Sequence, residues 1–265
     1  MKDKHIHTVY CPHGTRDTLE QYVEQSIKLK YEEISFTEHA PLPKSFTDPT
    51  PHKDSAMSWN DLSYYLEDIN KLKERYNGTL SIHCGLEVDF IEGYEEETKS
   101  FLNEYGNILD DSILSVHFLL KDAKYYCLDY SEQHFGEIVE LYGGLDEVYS
   151  AYFETVKNSI LCDLGKYKPK RIGHFTLVEK FKLLYPYNGD LLPFVLPLLH
   201  LIKKQEMHLD YNGAGVNKRY CQDTYPPEYI AKEAAKRKIP LIYGSDAHNA
   251  QDLGQGLERI NKKLL

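Results

Sequence analysis

Seven of the chain's twelve histidines, together with one glutamate and one aspartate, stand where short apolar runs end, and this recurrence limits the possible folds more than any other property. His5 and His7 share one extended run and His13 follows it. His39 comes after Glu33-Ile34-Ser35-Phe36-Thr37, Glu87 after the run Leu80 to Leu86, and His117 after Ile113-Leu114-Ser115-Val116. His174 follows Arg171-Ile172-Gly173, and Asp246 and His248 follow Ile239 to Tyr243. Imidazole and carboxylate donors delivered one strand end at a time are useful only if the strand ends converge.

Between these runs lie segments with helical periodicity. Thr18-Leu19-Glu20-Gln21 has the form of a capping box, and Leu19, Tyr22, Val23 and Ile27 then fall on one face. Further helices are expected over Trp59 to Tyr76, Glu95 to Tyr105, Tyr149 to Leu161, Leu191 to Lys204 and Pro227 to Lys236. The strand Met207 to Tyr211 precedes Asn212. Alternating strands and helices imply a parallel sheet, and donors that all emerge at carboxyl ends imply closure into a barrel of about seven βα units. An open doubly wound sheet gathers its site near one switch point and could not collect six or seven strand ends. Neither a Gly-rich nucleotide fingerprint nor a G-x-S-x-G elbow supports that alternative.

The length of 265 residues suits one such domain spanning 1–265. Two excursions interrupt the repeat. One, at about 40–58, carries Pro41, Pro43, Pro49 and Pro51; the other, at about 121–144, is rich in tyrosine. Both follow site histidines and are expected to wall the site.

Charge and cysteine usage narrow the function. A formal net charge of −10 leaves no broad basic surface for a nucleic-acid backbone, so the expected partner is a small molecule held by a few local cations. Five dispersed cysteines without a C-x-x-C pair suggest reduced thiols, although Cys11 is close enough in sequence to His13 to be a further donor. No stretch approaches a membrane span, no signal core opens the chain and no apolar surface stripe stands out. A cytoplasmic monomer that binds neither membrane nor nucleic acid is the expectation.

The donors sort into three sets. His5 and His7 point to one face of an extended strand and can share an ion, with Glu87 and Asp246 completing its shell. Glu87 can bridge to a second ion held by His117 and His174, and His13, His39 and His248 make a third site. His83, His208, His52, His134 and His200 are left outside.

These residues carry a family resemblance. Asp3-Lys4-His5-Ile6-His7 resembles the D-x-H-x-H opening of the PHP (polymerase and histidinol phosphatase) superfamily. Phe36 to His39, Gly85 to Phe90 and Gly244 to His248 resemble its later motifs, with Ser115 to Phe118 and Ile172 to His174 between them. The order covers the whole chain, and the length and Tyr211-Asn212-Gly213-Ala214-Gly215 are most similar to the histidinol-phosphate phosphatase branch. Glu38 stands where that family commonly has Asp.

The resemblance implies a distorted (βα)7 barrel, three divalent ions (zinc, iron or manganese) and metal-dependent hydrolysis of L-histidinol phosphate to L-histidinol and phosphate in histidine biosynthesis. Asp246 and His248 are the expected proton-handling catalytic residues. Arg16, Arg171, Lys218 and Arg219 are the candidates for holding phosphate, with Asn212 beside them. Acidic or aromatic groups of the two excursions are suspected of reading the amine and imidazole. The alternatives are a PHP-type phosphodiesterase or exonuclease, and a phosphatase for another small phosphomonoester.

Overall fold

The computed structural model describes residues 1–265. Seven parallel strands form one sheet in the order β1 (Lys2–Ile6), β2 (Glu33–His39), β3 (Ser81–Asp89), β4 (Asp111–Ser115), β7 (Arg171–Ile172), β8 (His208–Asn212) and β9 (Leu241–Gly244). The chain just beyond β9 returns to β1: Asp246 N donates to His5 O at 2.7 Å and His7 N donates to Ala247 O at 2.9 Å. Those bonds bring the first and last strands together, so the sheet curls into a nearly closed (βα)7 barrel.

Helices lie between successive strands, as the periodicity predicts. α1 (Leu19–Lys28) starts at the capping box, where Thr18 and Gln21 satisfy each other's backbone N–H groups. α2 (Leu62–Arg75) buries Leu62, Tyr65, Leu66, Ile69 and Leu72, and the Tyr65 hydroxyl lies within hydrogen-bond distance of Phe36 O and Gly85 O, fixing the helix to β2 and β3. α3 (Glu95–Tyr105), α6 (Leu192–Lys204), a short α7 (Ala214–Asn217) and α8 (Glu228–Lys236) complete the surround. One continuous cluster of 61 buried apolar residues joins strands to helices, so no part of the barrel has a core of its own.

The 121–144 excursion is built differently from an irregular loop. A hairpin of β5 (Phe118–Lys121) and β6 (Lys124–Cys127) leads into α4 (Glu132–Tyr142), capped by Ser131 at its start. Gly143 closes α4 at φ 93°, a left-handed conformation that costs glycine little, and α5 (Leu145–Leu161) begins at once, earlier than predicted. The 40–58 excursion stays irregular but is tied internally: Asp48 accepts from Thr50 N and Oγ1 and from Ser55 N and Oγ. Phe46 packs against Phe118 and Tyr125, so the two excursions meet over the carboxyl ends of the strands.

Candidate metal centre

Each donor is positioned by the backbone before any ion is considered. On β2, Glu33, Ser35, Thr37 and His39 share one face by strand alternation. A register shift between Asp3 and Ile6 re-aims β1, and His5 and His7 are both fully buried. Gly244 is required here, because a Cβ would lie 2.4 Å from His5 Cβ and 2.5 Å from Asp210 Oδ1. Two residues on, Asp246 holds φ 54°, an uncommon conformation for a non-glycine residue, fixed by its N–H bond to His5 O.

The hydrogen bonds decide which nitrogen each imidazole offers. His5 Nδ1 donates to Asp210 Oδ2 at 2.8 Å, His7 Nδ1 to Glu38 Oε1 at 3.1 Å, and His117 Nδ1 to Asp89 Oδ1 at 2.7 Å. His13 Nδ1 donates to Asp54 O at 2.9 Å and His248 Nδ1 to Asp246 O at 3.0 Å. All five partners are carboxylate or carbonyl oxygens, which only accept, so Nδ1 carries the proton and the Nε2 lone pair is left for a ligand. Both ring nitrogens of buried His39 and Nδ1 of His174 lack a hydrogen-bond partner. Two Nε2 lone pairs facing each other at 3.3 Å, as in His5 and His7, repel unless a cation or a shared proton lies between them.

Glu87 lies at the middle of these groups. Its Oε1 is 2.9 Å from His174 Nε2 and 3.9 Å from His117 Nε2, and also accepts from Ser115 Oγ at 2.6 Å. Its Oε2 is 3.5 Å from His5 Nε2, 3.4 Å from His7 Nε2 and 3.2 Å from His39 Nδ1. One carboxylate thus turns one oxygen to each of two donor groups. Asp246 Oδ1 lies 3.2 Å from His7 Nε2 and 3.7 Å from His5 Nε2.

Three sets of donors come within 4.8 Å of one another: His5, His7 and Glu87; Glu87, His117 and His174; and His7, Cys11, His39 and His248. The third set differs from the sequence expectation. Cys11 falls among its donors, whereas His13 is exposed, with its ring centroid 5.2 Å from that of His39 and 5.1 Å from that of His248.

The charges of the cluster are strongly coupled. Burial opposes protonation of His7, but Asp246 and Glu38 raise its pKa to about 9; at His117 the same contest, with Asp89 as the main partner, ends at about 10. Burial and the neighbouring His7 push His248 well below the ordinary imidazole range, and His39 falls for the same reasons. Glu87 and Asp246 are held well below the usual carboxylate range, because the surrounding histidines outweigh burial. A buried array of imidazole nitrogens and ionised carboxylates, from whose raised imidazoles an ion displaces protons, is what divalent ions bind, so the donor set fits metal.

A cavity of about 330 Å³ opens onto this cluster. Of the five predicted substrate-binding residues only Lys218 lines it, and the others need correction. Arg171 is buried on the far side of the barrel: its Nη2 donates to Asp111 Oδ2 at 2.9 Å, in a floor layer with Ser35, Lys4 and Glu33. Three residues of strand rise separate it from His174, roughly 10 Å. Asn212 is fully buried, and its Nδ2 donates to Asp210 Oδ2 at 3.0 Å and Asp246 Oδ2 at 3.2 Å while its Oδ1 accepts from Ala214 N. It positions other groups and presents nothing to the cavity. Arg16 is exposed outside the cavity, and Arg219 is exposed with its guanidinium 5.0 Å from the Tyr220 ring centre.

Sequence reasoning missed four charged residues that line the cavity: Asp54 and Asp89, already met beside His13 and His117, and the pair Asp129 and Lys180. Lys180 Nζ donates to Asp129 Oδ2 at 2.8 Å and to Asp129 O at 2.7 Å. Asp129 belongs to the tyrosine-rich excursion already expected to wall the site; Lys180 lies on a 3-10 turn, Leu177–Phe181, that no periodicity marks. Asp210, the partner of His5, was visible only as part of a strand.

Comparison with known proteins places the chain among relatives. The model of the PHP domain matches residues 3–214. The chain is 50% identical over 259 residues to the histidinol-phosphatase of Bacillus subtilis (strain 168), with 97% of each chain covered. Among solved structures, HisK of Listeria monocytogenes superposes with a TM-score of 0.93 at 40% identity, covering 97% of this chain and 99% of that one. A histidinol phosphate phosphatase from Lactococcus lactis subsp. lactis, complexed with zinc, L-histidinol and phosphate, has a TM-score of 0.71 at 20% identity over 99% and 93% of the two chains; at that identity it speaks to the fold.

Proposed function

The chain belongs to the PHP domain family and to its histidinol-phosphatase branch, and from that premise we infer that it is a metal-dependent phosphatase hydrolysing L-histidinol phosphate to L-histidinol and inorganic phosphate. The observation that carries the reading is the set of five imidazoles with Nδ1 spent on oxygen acceptors, three of which, His5, His7 and His117, face a carboxylate that offers one oxygen to each of two donor groups. His5, His7, Glu87 and Asp246 would hold one ion, and Glu87, His117 and His174 a second. His39 and His248 would hold a third, with Cys11 beside them and His13 reaching in from the cavity wall. Nitrogen and oxygen donors suit zinc, iron or manganese. Bound there, such ions supply a water acidic enough to attack phosphorus near neutral pH and positive charge against the phosphoryl oxygens.

The protein's own groups do the rest. Asp210, Glu38 and Asp89 fix the tautomers of His5, His7 and His117, so that lone pairs and not protons face the centre. Asp246 is held ionised, with Oδ2 on Asn212 Nδ2 and Oδ1 turned toward the His5 and His7 nitrogens, so it offers a charged oxygen to the first ion. His248 is kept neutral with its Nδ1 proton on Asp246 O, so its one lone pair, on Nε2, serves the third ion and is not open to the proton transfer expected from the sequence. Lys218 supplies a cation at the cavity wall for a phosphoryl oxygen. The enclosing excursions suit a small monoester better than a nucleic-acid strand.

The test is phosphate release from L-histidinol phosphate, compared with sugar and nucleotide monophosphates, on protein of assayed metal content. A strong preference for histidinol phosphate with two to three ions per chain is expected. Faster cleavage of bis(p-nitrophenyl) phosphate than of p-nitrophenyl phosphate would overturn the monoesterase reading.

A further inference from the structure

We infer that the Asp129–Lys180 ion pair is the specificity device of this site: it recognises an ammonium group vicinal to the phosphate ester, Asp129 taking the ammonium and Lys180 a phosphoryl oxygen. The inference rests on the phosphatase reading above and goes beyond it by naming how a 2-aminoalkyl phosphate is chosen.

Three observations carry it. First, the pair lines the same cavity as the histidine cluster, with Asp129 beyond the β5–β6 hairpin and Lys180 six residues past His174. Both side chains remain about one-fifth exposed, so neither is sealed in the core. Second, the pair is only partly satisfied by itself. Lys180 has three N–H donors and spends two on Asp129; Asp129 Oδ1 accepts nothing stronger than the Cys127 thiol at 3.4 Å. One strong donor and one charged acceptor therefore remain side by side. A vicinal amino phosphate carries the inverse arrangement, with its cation next to its anion, and can lie antiparallel to the pair so that each charge meets its opposite.

Third, the other carboxylates of the cavity are committed. Glu87 and Asp246 face the imidazole nitrogens, and Asp89 holds His117 Nδ1. Asp54 alone competes, but it lies beside His13, to which its carbonyl is bonded, and no cation accompanies it. An ion pair at a cavity wall with no ligand to serve adds little stability, whether water screens it or burial desolvates it.

The experiment compares L-histidinol phosphate with its des-amino analogue, 3-(imidazol-4-yl)propyl phosphate, on the metal-loaded protein. Wild type is expected to favour the amine-bearing substrate by about 10²-fold in kcat/KM, the scale on which a desolvated charge pair discriminates. Asp129→Asn is expected to reduce that preference below about fivefold, whereas Asp54→Asn retains it. Should Asp129→Asn not fold, the double variant Asp129→Asn, Lys180→Met leaves no unpaired charge, and inhibition of wild type by L-histidinol against 3-(imidazol-4-yl)propanol reads the same preference without any substitution. A wild type indifferent to the amine, or a preference that survives Asp129→Asn or disappears with Asp54→Asn, overturns the inference while leaving the phosphatase intact. No phosphate release from L-histidinol phosphate by wild type overturns the functional reading itself.

Discussion

Replacing Asp210 should weaken metal binding at the His5 and His7 end of the cluster by an amount the hydrogen bonds allow to be worked out. Its Oδ2 accepts from His5 Nδ1 at 2.8 Å and Asn212 Nδ2 at 3.0 Å, and lies 3.5 Å from His174 N. Because every neighbour of that position is a donor, the amide of Asp210→Asn must keep its oxygen there. His5 retains its tautomer and only the charge on the acceptor is lost. A charged hydrogen bond exceeds a neutral one by about 1 kcal/mol, so metal affinity should drop roughly fivefold. Asp210→Ala removes the acceptor and leaves two buried donors unsatisfied at about 1–3 kcal/mol each, and it frees His5 to carry its proton on Nε2. A loss of roughly 100-fold or more is expected, at the upper end of what removal of a ligand's hydrogen-bond partner costs. The assay is competition against a chelator of known affinity, with bound metal counted per chain and folding followed by circular dichroism. A folded Asp210→Ala protein that binds every ion as tightly as wild type would refute the claim that tautomer control organises the site.

Three further outcomes are expected. Because carboxylates raise His7 to about 9 and His117 to about 10 in the metal-free cluster, both bind protons at pH 7.5. His5 is likewise held well above the ordinary imidazole range by Asp246, Asp210 and Glu87, so metal loading should release about three protons per chain, and affinity should fall as pH is lowered; titration calorimetry in buffers of different ionisation enthalpy reads the count, and a value near zero contradicts the assignment. Burial pushes Glu179 up to about 7 from its ordinary 4.5, so the folded protein holds a proton that the unfolded chain has released across that interval. Stability is lost as pH rises from 4.5 to 7, and Glu179→Gln should gain roughly 3 kcal/mol, or about 6 °C in Tm, at pH 8 and nothing at pH 4. Equal gains at both pH values would exclude this cause. Arg171→Met should lower stability by about 3 kcal/mol, because it leaves Asp111 without its buried partner, yet change KM for histidinol phosphate less than twofold; a tenfold rise in KM would restore the phosphate role.

The strand ends were legible because chelation requires particular residue types at particular exits from a sheet, and both requirements are local in sequence. His5-Ile6-His7 declares a shared face by alternation alone, and Asp246-Ala247-His248 closes a run of β-forming residues. The groups that prepare those ligands are not legible in the same way. Asp210 sits two strands and 205 residues from the imidazole it orients, and a mid-strand aspartate gives no sign of its partner. Cys11 enters the third donor set, with His13 outside it, because the β1–α1 turn packs the thiol inward, a choice made by loop geometry that periodicity does not encode.

Cations show the limit most clearly, since Arg171 and Lys180 both flank His174 and their sequence distances mislead. Arg171 is the nearer by count, but an extended strand separates residues by their full rise, which carries its guanidinium to the opposite end of the barrel and into the hands of Asp111. Lys180 is twice as far along the chain, yet the turn Leu177–Phe181 folds back over the carboxyl ends of the strands and returns its ammonium to the cavity. In a barrel a residue before a strand-end ligand belongs to the floor, and only one after it can reach the site, as Lys180 and Lys218 do and Arg16 and Arg219 do not. The side of the ligand on which a charge stands, more than its distance from it, decides whether it can meet substrate, and by that rule Lys180 and Lys218 qualify where Arg171 does not.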